Sequence, residues 1–580
     1  MNCEPDEPTS GRGVRLLSLW LVSVSGPAAV IGWLILRNHV DMPFWDDWLA
    51  SSDILIKAKT GALTVHDIVT QLNESRLVVP RLLFLGIALL TDGRVAWQLL
   101  LTFLLAVFIS WASFLLILRT VGSKRRSLLG LAFLVNLLIF TPMHGENWLW
   151  GAQVICFIPV ACLLGTLLVL DSGMGDTARI AVGGLLCTVA TYSYANGLVT
   201  WIAAAPAVFV VLGARPLAAW AGLFALNLGS FFYGYTAPGG QLLEGVRHPL
   251  RAAEYGLAFL GAPLASGRLR LAQAVGTVLL VVSLCVAVFL WHERRDAALR
   301  RRTIPWVSLV LYVLASAALA AAGRSAFGVE QALARRYVSF SIYLLVALVL
   351  LVAIVAADAK EKSRFSRRGE SWFRLTRAGL VAGLIVLHFV CFVSGAHGIV
   401  WVGRMLRYGK SCLLFANAAP DTACLTSWVL PNAETATRMV NDLDRLGCFR
   451  PHLVRSPRLQ DLQPAVDPAS IGVFESLGAA GGKLIASGWA VLPGGSRVAD
   501  SVILAQEALD GGWIPIGFWP VLGPRPDVAQ ARGRALRDSG WAYTFDASRL
   551  ERRPVRVSAW SFDCERGEAY QLVNVATVVP

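Results

Sequence analysis

Long apolar runs, rather than alternation, dominate the first 400 residues. They fall at 16–36, 95–118, 128–140, 151–170, on either side of Tyr194-Ala195-Asn196-Gly197, and at 216–235, 271–291, 304–322, 340–356 and 378–400. A bilayer core of about 30 Å needs roughly 20 apolar residues in a helix. The pattern therefore predicts eleven membrane-spanning helices. The apolar piece at 82–90, opened by Pro80, is short for a span and is expected to be an interfacial or re-entrant helix. The piece at 255–264 is expected to dip into the membrane in the same way. The first run is too long for the apolar region of a cleavable signal, and no small-residue cleavage site follows it.

After Trp401 the pattern changes. Residues 401–470 are mixed, with a helix expected near 433–446. Within 471–580, short runs are punctuated by Gly481-Gly482, Pro493-Gly494-Gly495, Asp510-Gly511-Gly512 and Gly523-Pro524. The stretch 555–562 alternates with a period of two, as a half-buried strand does. The expected architecture is mainly α: a polytopic membrane domain at 1–400, a connecting region at 401–470, and an extracytoplasmic β-sandwich at 471–580.

Composition agrees. Hydrophobic residues make up 56% of the chain and charged residues 16%, against roughly 25% charged in soluble domains. The net charge of +14 sits in short loops at 124–126, 294–302 and 360–377. With eleven spans these loops share one side, which the positive-inside rule makes cytoplasmic. Arg12 and Arg15 precede the first span, so the N-terminus is placed on that side and the C-terminal domain on the other. No pattern for stacking or gripping a nucleic acid is present. Four of the ten cysteines, Cys412, Cys424, Cys448 and Cys564, lie in the exterior tail. Two disulfides are open to them, Cys412 with Cys424 being the nearest pair. No Cys/His spacing points to zinc, and no Walker A or dinucleotide fingerprint is present.

The chemistry-bearing residues concentrate in the loops of the outer side. Asp46 and Asp47 lie between Trp45 and Trp48 directly after the first span. In a helix their side chains would diverge by roughly 100°, so one faces a reacting centre while the other caps, binds metal or holds an arginine. Asp46 is the preferred base. Arg76, Arg81, His144, Glu146, Arg324, Arg335, Arg336 and Tyr337 are on the same expected face. Fixed cations suit a leaving phosphate, and a carboxylate suits a hydroxyl that must lose its proton. Asp46, Asp47 and Glu146 are the candidate ligands for a divalent cation. Each group also has an ordinary use: tryptophan and arginine anchor at headgroup depth, and aspartate caps helices.

An acidic pair soon after span one resembles the GT-C superfamily of polyprenyl-phosphate-sugar glycosyltransferases. Asn73-Glu74-Ser75-Arg76 with Pro80-Arg81 looks like the Asn-Glu-His-Arg…Pro-Arg pattern of a bacterial GT-C-like group, with Ser75 in place of His. The stretches His144-Gly145-Glu146-Asn147-Trp148, Tyr194-Ala195-Asn196-Gly197 and Ala334-Arg335-Arg336-Tyr337 are similar to that group too. The resemblance implies an inner-membrane glycosyltransferase. Its donor would be a polyprenyl-phosphate sugar and its acceptor a cell-envelope polysaccharide or glycolipid. The aspartates would be catalytic, and the arginines, His144, Glu146 and Tyr337 would bind substrate. A flippase of lipid-linked sugars, or a non-catalytic assembly protein, is the alternative. Mid-span ionisable residues and an inverted repeat would mark the flippase, and neither stands out.

Overall fold

The computed structural model describes residues 9–121, 125–237, 244–362, 367–495 and 497–579. Cys3, part of the basic turn at 122–124, part of the loop at 236–270 and residues 363–366 lie outside them. The helices in chain order are α1 (Thr9–Asn38), α2 (Asp53–Lys59), α3 (Val65–Val69), α4 (Val78–Thr91), α5 (Ala96–Thr120), α6 (Arg125–Ile139), α7 (Val154–Leu170), α8 (Asp176–Thr191), α9 (Leu198–Leu212) and α10 (Ala214–Phe232). There follow α11 (Glu244–Arg247), α12 (Pro249–Gly261), α13 (Leu269–His292), α14 (Ala297–Arg324), α15 (Val338–Glu361) and α16 (Arg367–Leu414).

Among the described residues, eight helices are long and apolar enough to cross a membrane, and α6 with the bent piece Pro142–Trp148 makes a ninth. The other two expected spans are α8 and α10. The first is only 16 residues long, and Arg215 and Asn227 dilute the second. All eleven expected positions are thus helical, in a multi-pass membrane protein. The expected interfacial helix is α4, 14 residues long and shorter than a span.

The chain divides into two compact units. Unit 1 comprises 1–37, 64–83 and 98–399. Its centre is α7, whose apolar window is 89% buried, with α15 at 72%, whereas α13 and α16 reach only 22%. A helix apolar on every side suits that central position, and α13 and α16 leave faces for lipid. Polar ties cross the interior. Trp20 Nε1 donates to Ser110 Oγ at 2.9 Å, Ser110 to Asn136 Oδ1 at 2.6 Å, and Asn136 Nδ2 to Ser23 Oγ at 3.1 Å, joining α1, α5 and α6. Interhelical bonds of this kind hold spans together where burial of apolar surface gives no drive. Asn196, in the turn joining α8 to α9, donates to Tyr312 Oη at 2.8 Å and Ser316 Oγ at 3.0 Å on α14.

Unit 2 comprises 38–63, 84–97 and 400–580. Helix α18 (Ala433–Arg445) matches the expected one, and α17 (Thr422–Trp428) precedes it. A short hairpin, β1 (Gln71–Leu72) and β2 (Ser75–Arg76), belongs to unit 1. The remaining strands are β3 (Gly472–Ala480), β4 (Lys483–Ala490), β5 (Ser501–Glu507), β6 (Trp513–Trp519), β7 (Gly540–Asp546), β8 (Val555–Asp563), β9 (Glu568–Gln571) and β10 (Ala576–Val578). They form two antiparallel sheets, β3-β4-β7 and β10-β8-β5-β6, with β9 also on β8. Phe474, Trp541 and Tyr543 of one sheet share a core with Val502, Leu504, Val557 and Ala559 of the other, so the domain is a β-sandwich.

One detail departs from expectation. Strand β8 is buried along nearly its whole length and not on one face only. Phe415, just past α16, covers its second face: the Phe415 ring lies 5.4 Å from Phe562 and 5.1 Å from Phe518. Arg404, Arg407 and Lys410 of α16 pair with Asp538, Asp500 and Glu565 of the sandwich at 3.0, 3.7 and 3.8 Å. Cys412 and Cys424 form the expected disulfide, while Cys448 and Cys564 are free.

Candidate functional site

The Asp46–Asp47 stretch belongs to unit 2, and the other candidate residues belong to unit 1. Trp45 takes a left-handed φ of 47°, a conformation bulky residues seldom adopt, and its N–H donates to Val429 O at 2.9 Å. Asp47 is 1% exposed and its Oδ2 accepts the Phe44 N–H at 3.0 Å. Asp46 is half-buried. The chain continues as a π-helical turn, Trp48–Ser52, a form found mostly as single turns and often at functional sites. Asp41 Oδ1 accepts the Val95 N–H at 2.7 Å, which pins the start of the loop. Asp47 therefore shapes the turn, and Asp46 is the more accessible carboxylate.

In unit 1 the two arginines of the hairpin region are held by backbone. Arg76 donates to Phe231 O at 2.7 Å, to Val69 O at 3.3 Å and to Tyr233 O. Arg81, 3% exposed, donates to Ile68 O at 3.1 Å and Thr70 O at 2.5 Å. Carbonyls at the ends of α3 and α10, which have no partner within their own helix, are satisfied in this way.

His144 is fully buried. Its Nε2 faces Ile139 O at 3.1 Å and its Nδ1 faces Ser339 Oγ at 2.8 Å. A carbonyl only accepts, so Nε2 carries the proton and Nδ1 accepts from Ser339. Asn147 then donates to Ser339 Oγ at 2.6 Å and to Arg336 O at 3.1 Å. This relay fixes the Pro142–Trp148 bend against the start of α15.

The same contact brings Glu146, Arg335, Arg336 and Tyr337 together. The Glu146 carboxylate is within electrostatic reach of both guanidinium groups. Arg336 Cζ stands 5.4 Å over the Tyr337 ring. Arg335 lies between two glycines. A Cβ on Gly145, which holds a φ of 53°, would stand 2.5 Å from Arg335 Cδ, and one on Gly398 would stand 1.5 Å from Arg335 Nη1. Arg335 Nη1 donates to Gly395 O at 3.4 Å. At Gly395 a Cβ would meet Pro142 C at 2.6 Å. The Gly395-x-x-Gly398 face of α16 thus seats both the bend and the arginine.

Arg324 joins the group through an ion pair with Glu74. Tyr194 is within electrostatic reach of Glu74, Arg324 and Tyr337, and its ring stacks on Phe340 at 5.8 Å. Tyr255 reaches Tyr337, Arg324 and Arg336 and donates to Gln331 Oε1 at 3.1 Å. Three guanidinium groups here outnumber two carboxylates, so the group carries positive charge to offer an anion. Sequence reasoning did not assign Glu74, Tyr194, Tyr255, Gly395 or Gly398 a place in the site. The glycine spacing of three on one helix was the signal available for the last two.

Among the described residues no group of three His, Cys, Asp or Glu side chains is arranged to hold a metal ion.

No family model and no curated protein matches this chain. Among solved structures it is similar to ArnT from Cupriavidus metallidurans bound to undecaprenyl phosphate. The match is 12% identical, covers 70% of this chain and 81% of that one, and has a TM-score of 0.33, which is a loose likeness.

Proposed function

We propose that this protein is a membrane glycosyltransferase that moves a sugar from a polyprenyl-phosphate-linked donor to a polysaccharide or glycolipid acceptor of the cell envelope. The observation that carries the reading is the gathering of Arg324, Arg335 and Arg336 with Glu74, Glu146 and the tyrosine phenols. Arginine presents a planar fork of donors that matches phosphate oxygens, and a surplus of such groups meets the charge that grows on a departing phosphate. The resemblance of Asn73–Arg76, His144–Trp148 and Ala334–Tyr337 to the GT-C-like pattern supports the same assignment.

The step is a single displacement with inversion. The acceptor hydroxyl oxygen attacks the anomeric carbon and the bond from that carbon to the phosphate oxygen breaks. The phosphate leaves with the electron pair, and the hydroxyl proton passes to a carboxylate. Asp46 is assigned that base on the resemblance of the acidic pair after the first span, and it is the less buried of the two. Tyr337 and His144 hold the arginine group in place. The reaction is placed on the outer face of a bacterial inner membrane, with the N-terminus cytoplasmic.

The test is sugar transfer by the full chain reconstituted in vesicles with a labelled lipid-linked donor. Asp46→Asn should lower the rate by roughly a hundredfold or more, as removing a general base does. Asp47→Asn should act more mildly. Full transfer by both variants would end the assignment of a base to this stretch.

A further inference from the structure

The geometry points to a phospholipid site, separate from the arginine group above, in a crevice lined by α13, α14 and α15. The crevice encloses about 360 Å³, and nearly all of its wall is apolar. Leu284, Ala287, Val307, Leu311, Leu348 and Leu351 contribute to it. Helix α13 presents Val278, Val281, Leu284 and Val288 outward, each more than half exposed. That is the side of a span that meets lipid.

Two features select the occupant. The first is length. The crevice runs along α13 from Leu280 to Trp291, about 16 Å at 1.5 Å per residue. That is about half of a ~30 Å hydrocarbon core, the depth of one leaflet. A lipid of a single leaflet fits this depth, and a long polyprenyl chain does not. The second is charge. The crevice ends at Arg294 and Arg300, with Glu293 also at the mouth. Glu293 has an interaction of its own within the protein.

The arginines are pre-set. Arg294 Cζ lies 5.0 Å over the Trp291 ring and its Nη1 donates to Trp291 O at 3.0 Å. Arg300 Nη1 donates to Arg294 O at 3.1 Å. Both side chains keep further N–H donors, and both residues are exposed. Arg295 and Arg301 add charge at the same end of α13 and α14. The occupant is a phospholipid with an anionic headgroup, its phosphate at Arg294 and Arg300 and an acyl chain along α13.

Native mass spectrometry of the purified full chain, offered equal phosphatidylglycerol and phosphatidylcholine, tests this. The native protein should retain phosphatidylglycerol roughly thirtyfold better, which is about 2 kcal/mol for two cations near an anionic lipid. Arg294→Gln with Arg300→Gln should abolish the preference while lipid of either kind still binds. Ala287→Trp, at an exposed position inside the crevice, should expel the lipid. Equal retention of both lipids by the native protein would overturn the proposal. So would retention by Ala287→Trp equal to native, or displacement of phosphatidylglycerol by added polyprenyl phosphate.

Discussion

The guanidinium of Arg335 rests on the bare backbone of Gly398, so closely that a Cβ there would stand 1.5 Å from Nη1. The neighbouring Gly395 faces backbone instead, with a Cβ 2.6 Å from Pro142 C and 2.7 Å from Met143 N. The two glycines should therefore fail differently. Gly398→Ala needs only a long side chain to move, so the protein should fold while its donor KM rises roughly tenfold through a misplaced phosphate ligand. Gly395→Ala pushes on backbone that cannot yield cheaply, and its thermal midpoint should drop by several degrees. Donor KM and the unfolding curve, measured on both variants, separate the effects.

Ser339 is the hinge of the His144–Asn147 relay. Ser339→Ala leaves the buried His144 Nδ1 without its donor and Asn147 with only its bond to Arg336 O, at a cost of about 1–3 kcal/mol. The expected result is lower thermal stability, checked by unfolding in detergent. Unchanged stability would show that the relay does not hold the bend.

Arg76 should behave as a structural residue. Its partners are the carbonyls of Phe231, Val69 and Tyr233. Arg76→Ala should lower the thermal midpoint and the yield of folded protein, while the surviving fraction keeps the donor KM of the native chain. Arg336→Ala should show the opposite split, with KM raised and stability little changed.

The contrast between these arginines marks how far the sequence could be read. The helices were legible because apolar runs of span length have few other meanings, and α18 because its polar and apolar residues repeat with helical spacing. The sandwich followed from turn residues at short intervals. Partners were not legible. Arg76, Arg81, Arg335 and Arg336 all carry the same charge on the same expected face, yet Arg81 is taken up by the nearby carbonyls of Ile68 and Thr70 and Arg76 by Phe231 O at the end of α10. Arg335 finds its seat on a helix some sixty residues later in the chain. Strand β8 looked half-buried because nothing in its own pattern announces that Phe415 covers its other face.

The sandwich offers a pH signature. Arg525 holds the exposed Asp527 carboxyl down to about 2 and also pairs with Glu475 at 2.8 Å. A carboxylate in the unfolded chain titrates near 4. Because the folded value is the lower one, the contribution is present above pH ~4 and is lost as the pH falls through about 2. The difference in thermal midpoint between the native chain and Arg525→Gln should be constant above pH ~4 and shrink below it. A difference that grows on acidification would contradict the sign.

The proposed role of the arginine group of unit 1 is to receive the phosphate of a lipid donor. Binding of radiolabelled polyprenyl phosphate to the purified full chain, native against Arg335→Gln with Arg336→Gln, tests it most directly. Affinity should fall at least roughly tenfold in the double variant, with the fold retained by circular dichroism. Equal affinity in the two proteins would contradict it.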